Sequence, residues 1–192
     1  RLMIPIINPK GDIIGFGGRI IDQGEPKYLN SPETPLFEKG REVFGLPQAR
    51  QALRDTNTAI VTEGYMDVIA LSQNGVGNAV ATLGTATTAT HVTKLLRQVD
   101  RIVFCFDGDN AGRKAAWRAL ENSLEALADN KRLGFIFLPQ DDDPDSYIRA
   151  HGKEEFERQV KQAMPLSDFL LRELAQRCDL TSSEGKAQLI YE

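Results

Sequence analysis

Cysteine is scarce, and its two copies, Cys105 and Cys178, lie far apart. Neither a disulfide framework nor a Cys-x-x-Cys zinc site can be built from them, so they are expected to fill core space, and no zinc is expected in this chain. Histidine is equally sparse: His91 and His151 stand alone and are assigned no catalytic work. No apolar run approaches the roughly 18 residues a membrane helix needs, and no charged region followed by an apolar stretch suggests a secretory leader. The cytoplasm is the default expectation. Positive charge is not in excess either. With 23 Lys and Arg against 27 Asp and Glu, the net charge of −4 argues against a broad basic surface for nucleic acid, unless bound cations reverse the local balance. What is present is a globular composition, since 192 residues with 41% hydrophobic content can bury a core, expected in more than one lobe. The start at "RLMIPI" without Met and the stop inside the helical pattern "KAQLIYE" suggest a piece of something longer.

Residues 1–50 read as β-rich and then irregular. "RLMIPIIN" and "IIGFGGRII", separated by a Pro-Lys-Gly-Asp turn, predict a hairpin. A long loop, "DQGEPKYLNSPETPLFEKGREVFGL", follows, too long for a connector and therefore functional or mobile. From about Thr58 the pattern becomes strand, turn, helix, repeated. Its apolar runs are continuous, which marks strands covered on both faces: "TAIVTE", "NAVATLG", "RIVFCFD" and "LGFIFLP". Helices are predicted after each, including one in which Trp117, Leu120, Leu124 and Leu127 form the stripe facing the sheet, with Trp117 in the core. This alternation requires a parallel sheet in an α/β layer. The tail from Lys153 reads as helices interrupted near Pro165, a separate helical lobe.

In a parallel sheet the strand C-termini share one edge, where open α/β folds bind ligands. Glu63 ends the first strand, Asp107 and Asp109 the third, and Asp141, Asp142, Asp143 and Asp145 follow the fourth. Asp67, one helical turn after Glu63, can face the same edge. Two carboxylates about 4 Å apart repel by about 4 kcal/mol at an effective dielectric near 20, so such a patch calls for cations. Oxygen ligands without His or Cys select Mg²⁺ or Mn²⁺, which bridge to substrate phosphates. Gly64 and Gly108, directly after strand-end acids, would leave room for an ion or phosphate near the backbone. Each acidic segment has a plainer reading as an N-cap or solvated turn, and only their conjunction at three βα junctions favours a site.

"VTEGYMDVIAL", then "FCFDGDNAGRKAAWRAL", then "DDDPDSY" resemble the TOPRIM signature. "IGFGGR", "PKYLNSPET" and "FEKGREVFGL" narrow the resemblance to the RNA polymerase core of bacterial DnaG-type primases, over nearly the whole chain. The fold implied is a TOPRIM-like parallel sheet flanked by helices, with a small β-rich basic N-terminal lobe and a C-terminal helical lobe. The implied domains are 1–56, part of the basic subdomain; 57–150, the metal-binding TOPRIM domain; and 151–192, an incomplete helical subdomain. The resemblance implies synthesis of short RNA primers on single-stranded DNA from ribonucleoside triphosphates, with an RNA-DNA hybrid as product and two or more Mg²⁺ or Mn²⁺ ions. Glu63, Asp107 and Asp109 correspond to the catalytic and metal-ligating acids, and Asp67, Asp143 and Asp145 to further metal ligands. Arg19, Lys27, Asn30, Lys39 and Arg41 correspond to basic-lobe residues that contact template or nucleotide. Tyr28 is either a stacking platform for a base or a buried tyrosine with a bonded hydroxyl.

The zinc-binding template module and the domain that binds the replicative helicase are expected outside the chain, and the setting implied is the bacterial replication fork. A TOPRIM nuclease needs the same acids. A topoisomerase also needs a nucleophilic tyrosine, and none of Tyr28, Tyr65, Tyr147 or Tyr191 sits in a recognisable cleavage setting. A non-catalytic nucleic-acid-binding module, or a phosphotransferase using the first strand-end Asp as nucleophile, completes the alternatives.

Overall fold

The continuous apolar runs become strands buried on both faces in the computed structural model, which describes residues 1–140, 142–178, 182–184 and 187. The chain runs β1 (Leu2–Ile7), β2 (Ile13–Arg19), β3 (Tyr28–Asn30), α1 (Leu46–Thr56), β4 (Thr58–Thr62), α2 (Tyr65–Gln73), β5 (Ala79–Ala81), α3 (Ala89–Leu96), β6 (Arg101–Phe106), α4 (Asn110–Leu124), β7 (Arg132–Phe137), α5 (Pro144–Lys161), β8 (Met164–Pro165) and α6 (Leu166–Arg177). The main sheet has the order β5-β4-β6-β7-β8, parallel except for β8. Because successive side chains point to opposite faces, Ala59, Val61, Ile102, Phe104, Phe106 and Phe135 enter one core with α1, α3, α4 and α6. Ile60, Val103, Cys105 and Ile136 enter the other with α2 and α5. Both cysteines are buried, as expected of core filler.

The N-terminal hairpin forms as expected, but the loop behind it returns as β3, giving an antiparallel sheet of order β1-β2-β3. A third cluster, Ile6, Phe37, Phe44, Tyr65, Val68, Ala81 and Leu83, fastens this lobe to α2 and β5. Phe44 and Ala81 exchange backbone hydrogen bonds of 2.9 and 3.1 Å, which closes the open edge of β5.

Several expectations are corrected. Helix α1 was not anticipated: it follows Gly45 in the left-handed conformation (φ 79°), with Pro47 in its first turn, and buries Leu46, Ala49 and Leu53. In α4 the buried face is Gly112, Ala116, Ala119, Leu120 and Ser123. Leu124 and Leu127 are exposed, and Trp117 is half-buried at the surface. The Arg177 guanidinium stacks 3.7 Å from the Trp117 ring centroid, and the indole N–H donates to Glu121. The tail packs directly on the sheet. Phe156 and Val160 of α5 and Phe169 of α6 enter the two sheet cores, and β8 pairs with β7. The predicted stop is met at Gly152, whose φ of 80° and ψ of 177° divide α5 into two helical segments. Among the described residues, no helix is long and apolar enough to cross a membrane.

Candidate active site

Three βα junctions place the acids. Glu63 follows β4, Asp107 follows β6, and Asp143 caps α5 behind β7. A cleft of about 310 Å³ opens between this edge and the antiparallel sheet, lined by Glu63, Asp67, Asp107 and Asp143 on one side and Lys27, Tyr28 and Asn30 on the other. Four of the six predicted acids therefore share one cavity. Asp109 adjoins it at the N-terminus of α4, and Asp145 lies in the first turn of α5, held by an ion pair to Arg149.

The plainer capping roles are also realised. The Gly112 N–H donates to Asp109 Oδ1 at 2.7 Å, the Ser146 N–H to Asp143 Oδ1 at 2.7 Å, and the Gly64 N–H to Asp67 Oδ2 at 3.1 Å. Each carboxylate is thus oriented by one oxygen and keeps a second, so capping and ligation are compatible roles. Electrostatic coupling ties the set together. Glu63 is raised to about 7, by desolvation first and then by Asp107 and Asp109. Asp67 is also raised to about 7, by desolvation and then by Asp143 and Asp107, against the Gly64 hydrogen bond. Asp107 is raised by desolvation, Asp143 and Asp109. Repelling oxygen donors at a partly desolvated edge fit hard divalent cations in donor chemistry, although no three acidic, His or Cys side chains among the described residues already surround one point.

The strand-end glycines serve a different purpose from the one expected. A Cβ on Gly108 would lie 2.1 Å from the Pro139 carbonyl oxygen and 2.4 Å from that of Leu138, so the glycine admits the neighbouring βα junction rather than a ligand. At Gly64 the space is taken by the Asp67 carboxylate, 2.8 Å from a built Cβ.

The basic set divides. Tyr28 is 41% exposed, and its hydroxyl accepts from Arg19 Nε at 3.2 Å. The Arg19 guanidinium carbon and Lys27 Nζ lie 5.8 and 5.6 Å from its ring centroid. Arg41 lines a separate groove with Lys94 and Arg97, paired with Glu38 at 3.5 Å. Lys39 is tethered next to it, its carbonyl bonded to His91 Nε2 at 3.0 Å. A second cleft of about 440 Å³ shares Glu63 and Gly84 with the first and brings in Lys114 and Arg118, which the sequence reading passed over. Their i,i+4 spacing just after Asp-Gly-Asp was the available signal. Asp141 and Tyr191 lie outside the described residues.

Three family descriptions match successive parts of this architecture: "DNA primase catalytic core, N-terminal domain" over residues 1–50, "Toprim-like" over 60–148, and "DnaB-helicase binding domain of primase" over 167–192. The DNA primase of Neisseria meningitidis serogroup A is 58% identical over 191 residues, 99% of this chain and 32% of that protein. The chain belongs to the DnaG-type bacterial primases. It spans about a third of the length of the curated primases it matches. A crystal structure of a Pseudomonas aeruginosa DNA primase domain superposes with a TM-score of 0.93 at 54% identity, covering 97% of this chain and 59% of that one. A DnaG primase catalytic domain solved bound to ssDNA matches with a TM-score of 0.94 at 50% identity, over 98% of this chain and 61% of that one. One primase expectation is corrected: the helicase-binding description reaches into the chain, over α6 and beyond, rather than lying wholly outside it.

Proposed function

We propose that the chain carries the nucleotidyl-transfer centre of a bacterial DNA primase, which extends short RNA primers on single-stranded DNA from ribonucleoside triphosphates. The observation that carries this reading is the single cleft in which coupled carboxylates from separate βα junctions face Lys27, Tyr28 and Asn30, in a chain of the primase family. Glu63, Asp107 and Asp109 are assigned as catalytic acids and metal ligands, with Asp67, Asp143 and Asp145 as further ligands. Two or more Mg²⁺ or Mn²⁺ ions, when bound, supply Lewis acidity at the α-phosphate and neutralise the leaving pyrophosphate. Glu63 is assigned as a metal ligand or as the base that takes the proton of the attacking 3′-hydroxyl on its carboxylate. Lys27 and Arg19 hold phosphates opposite the acids, Tyr28 offers its exposed ring to a base, and Lys39 and Arg41 face the template from the neighbouring groove.

The domain division proposed is 1–56, 57–150 and 151–192. The RNA-DNA hybrid product leaves from the same cleft, and the match over 167–192 supports the replicative helicase as partner at the replication fork in the bacterial cytoplasm. The test is incorporation of labelled ribonucleotides on a single-stranded DNA template with Mg²⁺ or Mn²⁺, by the parent and by Asp107→Asn and Glu63→Gln. Template-dependent oligoribonucleotides from the parent and at least a 100-fold loss in both folded variants are expected. Full activity in either variant would remove that residue from the site, and cleavage in place of synthesis would make the chain a nuclease.

A further inference from the structure

Among the described residues, two buried side-chain polar atoms have no hydrogen-bond partner: the Tyr65 hydroxyl and Asn30 Oδ1. Both residues line the acidic cleft. They meet at Gly17 of β2, where a built Cβ would lie 2.9 Å from Tyr65 Cε1 and 3.3 Å from Asn30 Oδ1. Tyr65 is only 4% exposed. The Asn30 amide is held in this orientation, because its Nδ2 donates to the Leu83 carbonyl at 2.9 Å.

A buried donor and a buried acceptor left unpaired around one glycine cost stability and call for a group that completes both. The complement is one group that accepts from Tyr65 and donates to Asn30. An alcohol does both, whereas an ammonium accepts nothing and an ionised phosphate oxygen donates nothing. The exposed Tyr28 ring stands edge-on to Tyr65, with centroids 5.4 Å apart, so a base stacked on Tyr28 carries its sugar beside the pair. We propose that Tyr65 and Asn30 read a ribose hydroxyl of the nucleotide bound in the cleft, which makes them specificity-determining residues for the sugar. The inference rests on the nucleotidyl-transfer reading above.

Calorimetric titration of the full chain and its Tyr65→Phe variant with ATP, 2′-deoxy-ATP and 3′-deoxy-ATP in Mg²⁺, alongside thermal melts, tests this. The parent should bind ATP roughly five- to ten-fold more tightly than one of the two deoxy analogues, the size of one net hydrogen bond. Which analogue is weakened identifies the hydroxyl read. Tyr65→Phe should erase that ratio while melting no lower than the parent, since it removes an unpaired hydroxyl. Equal binding of all three nucleotides by the parent overturns the inference alone. So does a Tyr65→Phe variant that melts several degrees lower, because its hydroxyl then serves the fold through a fixed water. A parent that binds no nucleotide fails the nucleotidyl-transfer reading, and this inference with it.

Discussion

At the scale of single residues, the carboxylates store repulsion that protonation relieves. Asp67 titrates near 7 in the fold and near 3.9 in an unfolded chain. The fold therefore takes up its proton first, and this contribution to stability, complete below about 4, is lost as pH rises through 7. In metal-free buffer the parent should melt several degrees lower at pH 8 than at pH 5. Asp67→Asn should shrink that difference and melt above the parent at pH 8, because asparagine can still accept from the Gly64 N–H. An unchanged pH slope in thermal melts with EDTA would take Asp67 out of the repelling set. The position of these acids was legible, since an apolar run ending in Glu-Gly or Asp-Gly-Asp marks a strand end. The purpose of the glycines was not legible. Gly108 is required by the Leu138 and Pro139 carbonyls, thirty residues away in the chain, and local sequence carries no sign of that approach. Gly108→Ala should therefore cost about 3 kcal/mol by urea denaturation, or leave the protein insoluble; a cost near zero would contradict the contact.

Among the elements, strongly periodic or continuously apolar segments were readable, and those stabilised by partners were not. Strand β3 is three residues long and exists because Gly17, Gly18 and Arg19 pair with it. In α4, heptad-like spacing pointed to Trp117, Leu124 and Leu127, but small residues allow closer approach to the sheet, so Ala116, Ala119 and Ser123 turn inward instead. His91 shows how an isolated residue joins two elements. At the start of α3, its Nδ1 accepts from the Thr88 N–H at 3.2 Å, and its Nε2 donates to the Lys39 carbonyl at 3.0 Å. One neutral tautomer satisfies both bonds, and burial lowers the pKa below the usual histidine range. The unfolded chain takes up this proton first as pH falls, so the contribution is complete above about 6.5 and lost through the lower folded value. His91→Ala should cost about 1–3 kcal/mol at pH 7.5, with a smaller penalty at pH 5.5, measured by urea denaturation at both. A penalty independent of pH would refute the neutral tether.

Across the whole molecule, the cleft is a seam between two sheets, one supplying acids and the other Lys27, Tyr28, Asn30 and, through Tyr28, Arg19. Lys27→Ala and Arg19→Ala should each weaken binding of a single-stranded oligonucleotide and lower the slope of log K against log salt by about one. Arg41→Ala should lower the slope similarly yet leave nucleotide affinity unchanged, because Arg41 lines the separate groove. Fluorescence-anisotropy titrations at several salt concentrations would measure both, and an Arg41→Ala loss of nucleotide affinity would join the grooves into one site. By itself the sequence determined the parallel sheet and its acidic edge, because burial on both faces forces continuous apolar strands and parallel strands must end together. Only the tertiary structure decided what stands opposite that edge. The partners of the acids come from a three-residue strand and a loop with no periodic pattern, and they are placed by a hydrophobic cluster spanning Ile6 to Leu83. That placement depends on packing between lobes, which leaves no mark in the spacing of residues along the chain.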